Sequence, residues 1–180
     1  LIVDLRDNPG GLLDQAVQVA DLFVSSGPIT SLRGRNRQLN REFTARGHAA
    51  IGNIPIVVLI NRGSASSSEV LAGALQGRPH VTIMGERSFG KASVQAVYPL
   101  GGGNALRLTT AHYYTAQGRD IERRGLEPDI PLAEPDESHS SEIIEPQNPS
   151  QLREDPWIKD ALDVILGRIG PKSGPFPSLY

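Results

Sequence analysis

Ile54–Ile60 reads IPIVVLI, an apolar run that never alternates with polar residues. A strand with one solvated face alternates apolar and polar side chains, because successive residues point to opposite sides of the sheet. A run that does not alternate has to be covered on both faces, as in the buried sheets of α/β proteins. Whatever the rest of the chain does, it must supply two layers around this strand.

The neighbouring segments fit that demand. The run is followed by NRGSASSS, a loop of small residues, and then by SEVLAGALQG, which the pattern predicts as a helix capped by Ser68 and stopped by Gly77. Upstream, LIVDL predicts another buried strand, Asn8-Pro9-Gly10-Gly11 a turn, and Leu13, Ala16, Val17, Ala20 and Val24 one face of a helix ending near Val24. Residues 29–46 are polar and arginine-rich and predict two short strands joined by a turn at 34–36. Val81–Met84 predicts a further strand. SVQAVYPL and ALRLTTAHYYT predict a hairpin turning at Gly101-Gly102-Gly103-Asn104. Strand–helix units followed by β-rich runs give an α/β domain.

Residues 133–152, rich in Ser, Glu, Pro and Asn, predict a mobile linker. Asp155 then caps a helix with Pro156 in its first turn, carrying an apolar stripe through Trp157, Ala161 and Ile165 or through Ile158, Leu162 and Ile165. The expected organisation is a core over 1–132, the linker over 133–152, and the helix with a loose tail over 153–180. Because the chain opens inside an apolar strand, it is expected to be a piece of a longer protein, so the lack of a leader says nothing about targeting.

Bulk properties exclude several functions. A formal net charge of −2 argues against a nucleic-acid partner. The nearest basic cluster, Arg33, Arg35, Arg37 and Arg41, is diluted by Glu42 and reads as a solvated hairpin. There are no cysteines, hence no thiol chemistry, and no apolar run approaches the roughly 20 residues of a membrane span. The histidines lack metal-ligand spacing.

GERSFGKA, residues 85–92, poses the chemical question. Gly, four residues, then Gly-Lys is the spacing of a phosphate-cradling loop. Yet Ala92 stands where a magnesium-binding hydroxyl belongs, and the strand-like SVQAVYPL follows where a helix should begin. Nucleotide binding is therefore the weaker reading. Lysine otherwise occurs only at positions 159 and 172, so Lys91 is the one lysine of the core. Arginine does not deprotonate usefully, whereas a lysine can serve as a general base. A base needs a nucleophile, and GSASSSE offers Ser64, Ser66, Ser67 and Ser68 at the mouth of a helix, where developing negative charge is favoured. The plain alternative is a serine-rich capping loop. Ser88-Phe89-Gly90-Lys91 also fits Ser-x-x-Lys, but the companion Ser-Asp-Asn and Lys-Thr-Gly motifs are absent. A serine–histidine pairing would have to use His48, His80, His112 or His139.

Read together, DLRDNPGG (4–11), NRGSASSSEVLAGAL (61–75), GERSFGKASVQ (85–95) and GRDIERRGLEPDI (118–130) resemble, in order and spacing, the motif blocks of the carboxyl-terminal processing peptidases, also called tail-specific proteases. The resemblance covers residues 1–132. It implies a ClpP/crotonase-like α/β core, here truncated at its N-terminus. It implies Ser66 as nucleophile, Lys91 as general base and Gln95 as the residue orienting the lysine, with Lys91 expected in a dry, buried site. It also implies an oxyanion hole of two backbone amides, one from Ser67 and one from Gly10 or Gly11. Ser67 replaces the family's usual alanine and Ala92 a common glycine. No cofactor is implied. The expected partners are protein or peptide substrates with exposed C-termini and a PDZ domain of the parent chain, with homo-oligomerisation left open. Members act outside the cytoplasm, in the periplasm or envelope among other places. The alternative reading is a non-catalytic scaffold or inert piece of such a protease.

Overall fold

A computed structural model of the chain describes residues 1–133 and 154–169. The linker expected over 133–152 therefore lies, after its first residue, outside the described residues, as does the tail from 170 onward.

The non-alternating run does sit at the centre. It forms strand β4 (Ile56–Ile60), paired in parallel on one side with β1 (Ile2–Asp4) and on the other with β5 (Val81–Gly85). A two-residue strand, β8 (Ile130–Pro131), extends this sheet beyond β5, giving the order β1-β4-β5-β8. Ile56, Val58 and Ile60 point into one core cluster with helix α2 (Ser67–Leu75), while Val57 and Leu59 point into a second with helix α3 (Pro156–Ile165). The period of two thus assigns every residue of β4 to one of two cores. That is why no polar residue is tolerated in it.

A second sheet is antiparallel. It comprises β2 (Pro28–Gly34), β3 (Arg41–Thr44), β6 (Ser93–Gly101) and β7 (Asn104–Tyr114), ordered β3-β2-β7-β6. The hairpin between β6 and β7 turns at Gly101 to Asn104, as the glycine run predicts. Helix α1 (Leu13–Asp21) packs with α2, and Ala20, Val24 and Ile29 join the cluster that α2 shares with β4.

Two expectations shift. Helix α1 ends at Asp21 rather than near Val24. The Leu22 and Phe23 amides bond three residues back, to Val19 and Ala20, and tighten the last turn ahead of Ser25-Ser26-Gly27-Pro28. In α3 the buried stripe is Trp157, Ala161 and Val164, whereas Leu162 is 43% exposed. The stripe Trp157, Ala161 and Ile165 read from the sequence thus faces the core, with Ile165 half-buried against the same cluster, while the alternative stripe fails at Leu162. Asp155 does cap α3, its Oδ1 accepting the Trp157 and Ile158 amides at 2.9 and 3.2 Å. Its Oδ2 meets the Arg6 guanidinium at 2.8 Å, fastening the helix to the end of β1.

Candidate active site

β4 ends at Ile60, and the chain needs only residues 61–66 to turn and enter α2. The turn is held by its serines and asparagines. Ser64 Oγ donates to the Leu5 carbonyl at 2.7 Å, and Ser68 Oγ donates to the Asn8 carbonyl at 3.0 Å. The Ala65 amide also donates to Asn8, at 3.0 Å. The Asn-Pro-Gly-Gly turn is thereby seated against the start of α2. Of the four candidate serines, Ser64 and Ser68 thus spend their hydroxyl protons on backbone carbonyls.

Ser66, not Ser68, occupies the helix N-cap, at φ 58° and ψ −119°. A residue with a Cβ is crowded at that positive φ, and holding it there costs on the order of 1–3 kcal/mol. A serine on a strained turn between strand and helix is the arrangement that presents the nucleophilic hydroxyl in α/β-hydrolases.

Glu69 was not singled out by the sequence reading, yet it organises the site. It is 1% exposed and takes four hydrogen bonds. Oε2 accepts the Ser66 amide at 2.9 Å and the Lys91 amide at 2.8 Å; Oε1 accepts the Gly90 amide at 2.7 Å and Ser88 Oγ at 2.5 Å. Ser88 Oγ in turn accepts the Leu126 amide at 2.7 Å. The signal was present: Ser66-x-x-Glu69 is capping-box spacing, and taking Ser68 as the cap hid it.

This answers the phosphate-loop question. Gly90 and Lys91, whose amides would face a phosphate, both donate to the carboxylate of Glu69. β6 follows them rather than a helix. Gly90 adopts φ +88°, and a Cβ there would fall 2.7 Å from the Gly125 nitrogen and 2.8 Å from that of Arg124. Glycine is required because the GLEPD segment lies directly against the loop. The loop binds an internal anion.

Lys91 and Gln95 are both exposed, Lys91 just ahead of β6 and Gln95 within it. The dry, buried amine expected from the sequence is thus not what the described residues form, since β6 is an edge strand and nothing described covers its outer side. The backbone beside Lys91 is nonetheless fixed. Ala92 is fully buried, its amide donating to Glu122 Oε2 at 2.8 Å and its carbonyl accepting the Tyr113 amide at 2.8 Å. Burial, followed by the charge of Asp14, pushes the Tyr113 phenol above its ordinary value.

The oxyanion candidates lie together. The Gly10 amide donates to Asn8 Oδ1 at 2.9 Å, and the Gly11 amide to Ser67 Oγ at 2.5 Å. A Cβ on Gly10, which has φ +94°, would lie 2.6 Å from the Ala65 oxygen and 2.8 Å from the Ser67 nitrogen, so the turn rests on the backbone running from Ala65 to Ser67. Two of the histidines face carboxylates, His48 Nδ1 at 3.0 Å from Asp21 Oδ2 and His112 Nδ1 at 3.8 Å from Glu122 Oε2, and His139 lies outside the described residues. Among the described residues no hydrogen bond joins a histidine to these serines, and no cluster of potential metal ligands occurs.

Comparison with known proteins decides the family. Residues 1–132 match the model of peptidase family S41. The chain belongs to that family. It is 52% identical to a carboxy-terminal-processing protease of Bartonella bacilliformis over 74% of its length, covering 31% of that relative. It is 40% identical to a carboxyl-terminal-processing protease of Synechocystis over 99% of its length, covering 40% of that relative. Among solved structures, a photosystem II D1 C-terminal processing protease aligns with TM-score 0.68 and 41% identity, over 73% of this chain and 34% of that one. A putative S41 protease from Bacteroides fragilis shares the fold at TM-score 0.66 with 16% identity, over 93% of this chain and 45% of that one. The S41 chain thus spans less than half the length of each of these relatives, and its mixed α/β fold is theirs over the shared part.

Proposed function

We propose that the chain carries the catalytic centre of a serine endopeptidase that cleaves proteins near their C-termini, with Ser66 as nucleophile, Lys91 as general base and Gln95 orienting the lysine. One observation carries the reading. The strained N-cap serine and the lysine of the glycine-lysine loop hang from the same oxygen of Glu69, so two segments distant in sequence are held side by side. The names of the relatives supply the class of reaction.

In this mechanism the unprotonated Lys91 amine takes the Ser66 proton as Oγ attacks the peptide carbonyl. Backbone amides at the start of α2 and in the Asn-Pro-Gly-Gly turn receive the developing oxyanion, each worth on the order of 3 kcal/mol. The proton on Lys91 passes to the leaving amine, and water then hydrolyses the acyl-enzyme through the same base. Because Lys91 is exposed in the described residues, the remaining polypeptide, a PDZ domain included, and the bound substrate complete the enclosure. We place the parent protein outside the cytoplasm on the resemblance alone.

The full-length parent protein tests this with a fluorophosphonate probe and peptide mapping, alongside cleavage of a protein substrate with an apolar C-terminus. Label on Ser66, and loss of both signals in Ser66→Ala, is the expected result. Label on another serine, or undiminished cleavage by Ser66→Ala, would overturn it.

A further inference from the structure

The residue after the proposed nucleophile contributes two groups, and they work against each other. The Ser67 amide sits at the first helical position of α2 and has no acceptor among the described residues. An amide so placed is a ready donor to an oxyanion. The Ser67 hydroxyl, by contrast, occupies the Gly11 amide at 2.5 Å. Gly11 is the nearer of the two turn glycines to being available, since the Gly10 amide is already committed to Asn8 within its own turn. Ser67 as a residue is only 9% exposed, so water competes poorly at its side of this contact.

We propose that the Ser67 hydroxyl is a latch. It holds the Asn-Pro-Gly-Gly turn onto the start of α2 by filling the Gly11 amide that the oxyanion of the proposed reaction would otherwise use. Ser67 is a positioning residue that regulates access to the hole. The latch is an oxygen acceptor standing where the reaction needs an oxygen acceptor, so the two are mutually exclusive at that amide. Acylation requires the hydroxyl to rotate away from Gly11 first. The latch rests on the reading of Ser66 as nucleophile only for its kinetic consequence, because the Gly11–Ser67 bond can be measured without catalysis.

Two measurements on the full-length parent protein test it. Amide hydrogen exchange at Gly11 is expected to be slow in the wild type and clearly faster in Ser67→Ala, while amides in β4 are unchanged. Fluorophosphonate labelling of Ser66 is expected to be about fivefold faster in Ser67→Ala, the equivalent of one typical hydrogen bond. Ser67→Thr, which keeps the hydroxyl, should restore slow exchange and slow labelling. Unchanged Gly11 exchange in Ser67→Ala overturns the latch whatever the nucleophile. Faster exchange with equal or slower labelling also overturns it, since the hydroxyl would then not oppose acylation. Faster exchange with label on a serine other than Ser66 refutes the proposed nucleophile and leaves the Gly11 contact itself demonstrated.

Discussion

Ser66 and Lys91, 25 positions apart in the sequence, donate their backbone amides to one and the same oxygen of Glu69, at 2.9 and 2.8 Å. The spacing between the two segments is therefore set by a carboxylate that contacts neither side chain's reactive atom. A Glu69→Gln variant keeps shape but places an NH2 group against either the two amides on Oε2 or the amide and hydroxyl on Oε1. One pair of buried donors then faces a donor. The variant is expected to lose about 1–3 kcal/mol of unfolding free energy, read from denaturant midpoints. Labelling of Ser66 should fall in parallel, because the loop carrying Lys91 is no longer pinned. A Gln variant as stable as wild type would mean that the carboxylate is not the tie.

Backbone strain at Ser66 yields a prediction with opposite signs for stability and activity. At φ 58° the cost comes from the Cβ, which alanine keeps and glycine lacks. Ser66→Gly is expected to be about 1 kcal/mol more stable than Ser66→Ala, with both variants inactive. Chemical denaturation of the two proteins side by side decides it. Equal stabilities would show that the turn has no strain to release.

Much of this was legible in the residues. The IVVLI run states that two layers flank it, and the glycine run at 101–103 states a hairpin. Lys91 stands out as the one lysine of an arginine-rich core, whereas the small-residue loop leaves Ser64, Ser66, Ser67 and Ser68 open and only the resemblance singles out Ser66. Glu69 was illegible because a glutamate early in a helix is ordinary, and only tertiary contact reveals that a second loop shares it. The exposure of Lys91 was illegible for a related reason. Burial depends on what lies across an edge strand, and no local pattern in β6 specifies that. β8, two residues long, is defined by its pairing with Met84 and Gly85 alone.

Lys91→Arg separates charge from proton transfer. Arginine keeps the positive charge but does not act as a base at ordinary pH. The side chain is exposed in the described residues, so its replacement should leave the melting temperature of the domain nearly unchanged. Acylation by a peptide substrate is expected to fall by about 100- to 10,000-fold in both Lys91→Arg and Lys91→Met. Activity near wild type in the arginine variant would remove the lysine from the mechanism.

Asp21, at the end of α1, provides a pH test independent of catalysis. Its Oδ1 accepts the Arg46 amide at 2.5 Å, and its Oδ2 lies 3.0 Å from His48 Nδ1. The Arg46 amide first, then His48, hold this carboxyl below its ordinary value, outweighing the opposing effect of burial. A carboxyl with a depressed value in the folded protein binds fewer protons there than in the unfolded chain. Its contribution to stability is thus complete above the unfolded value of about 4 and is lost as pH falls through the lower, folded value. Asp21→Asn removes the titration while preserving the shape. The stability gap between wild type and Asp21→Asn is expected to narrow as pH drops below about 4. Denaturant unfolding across that range reads the gap directly. A gap that stayed constant through the acid limb would show that the contact with Arg46 and His48 does not favour the ionised form.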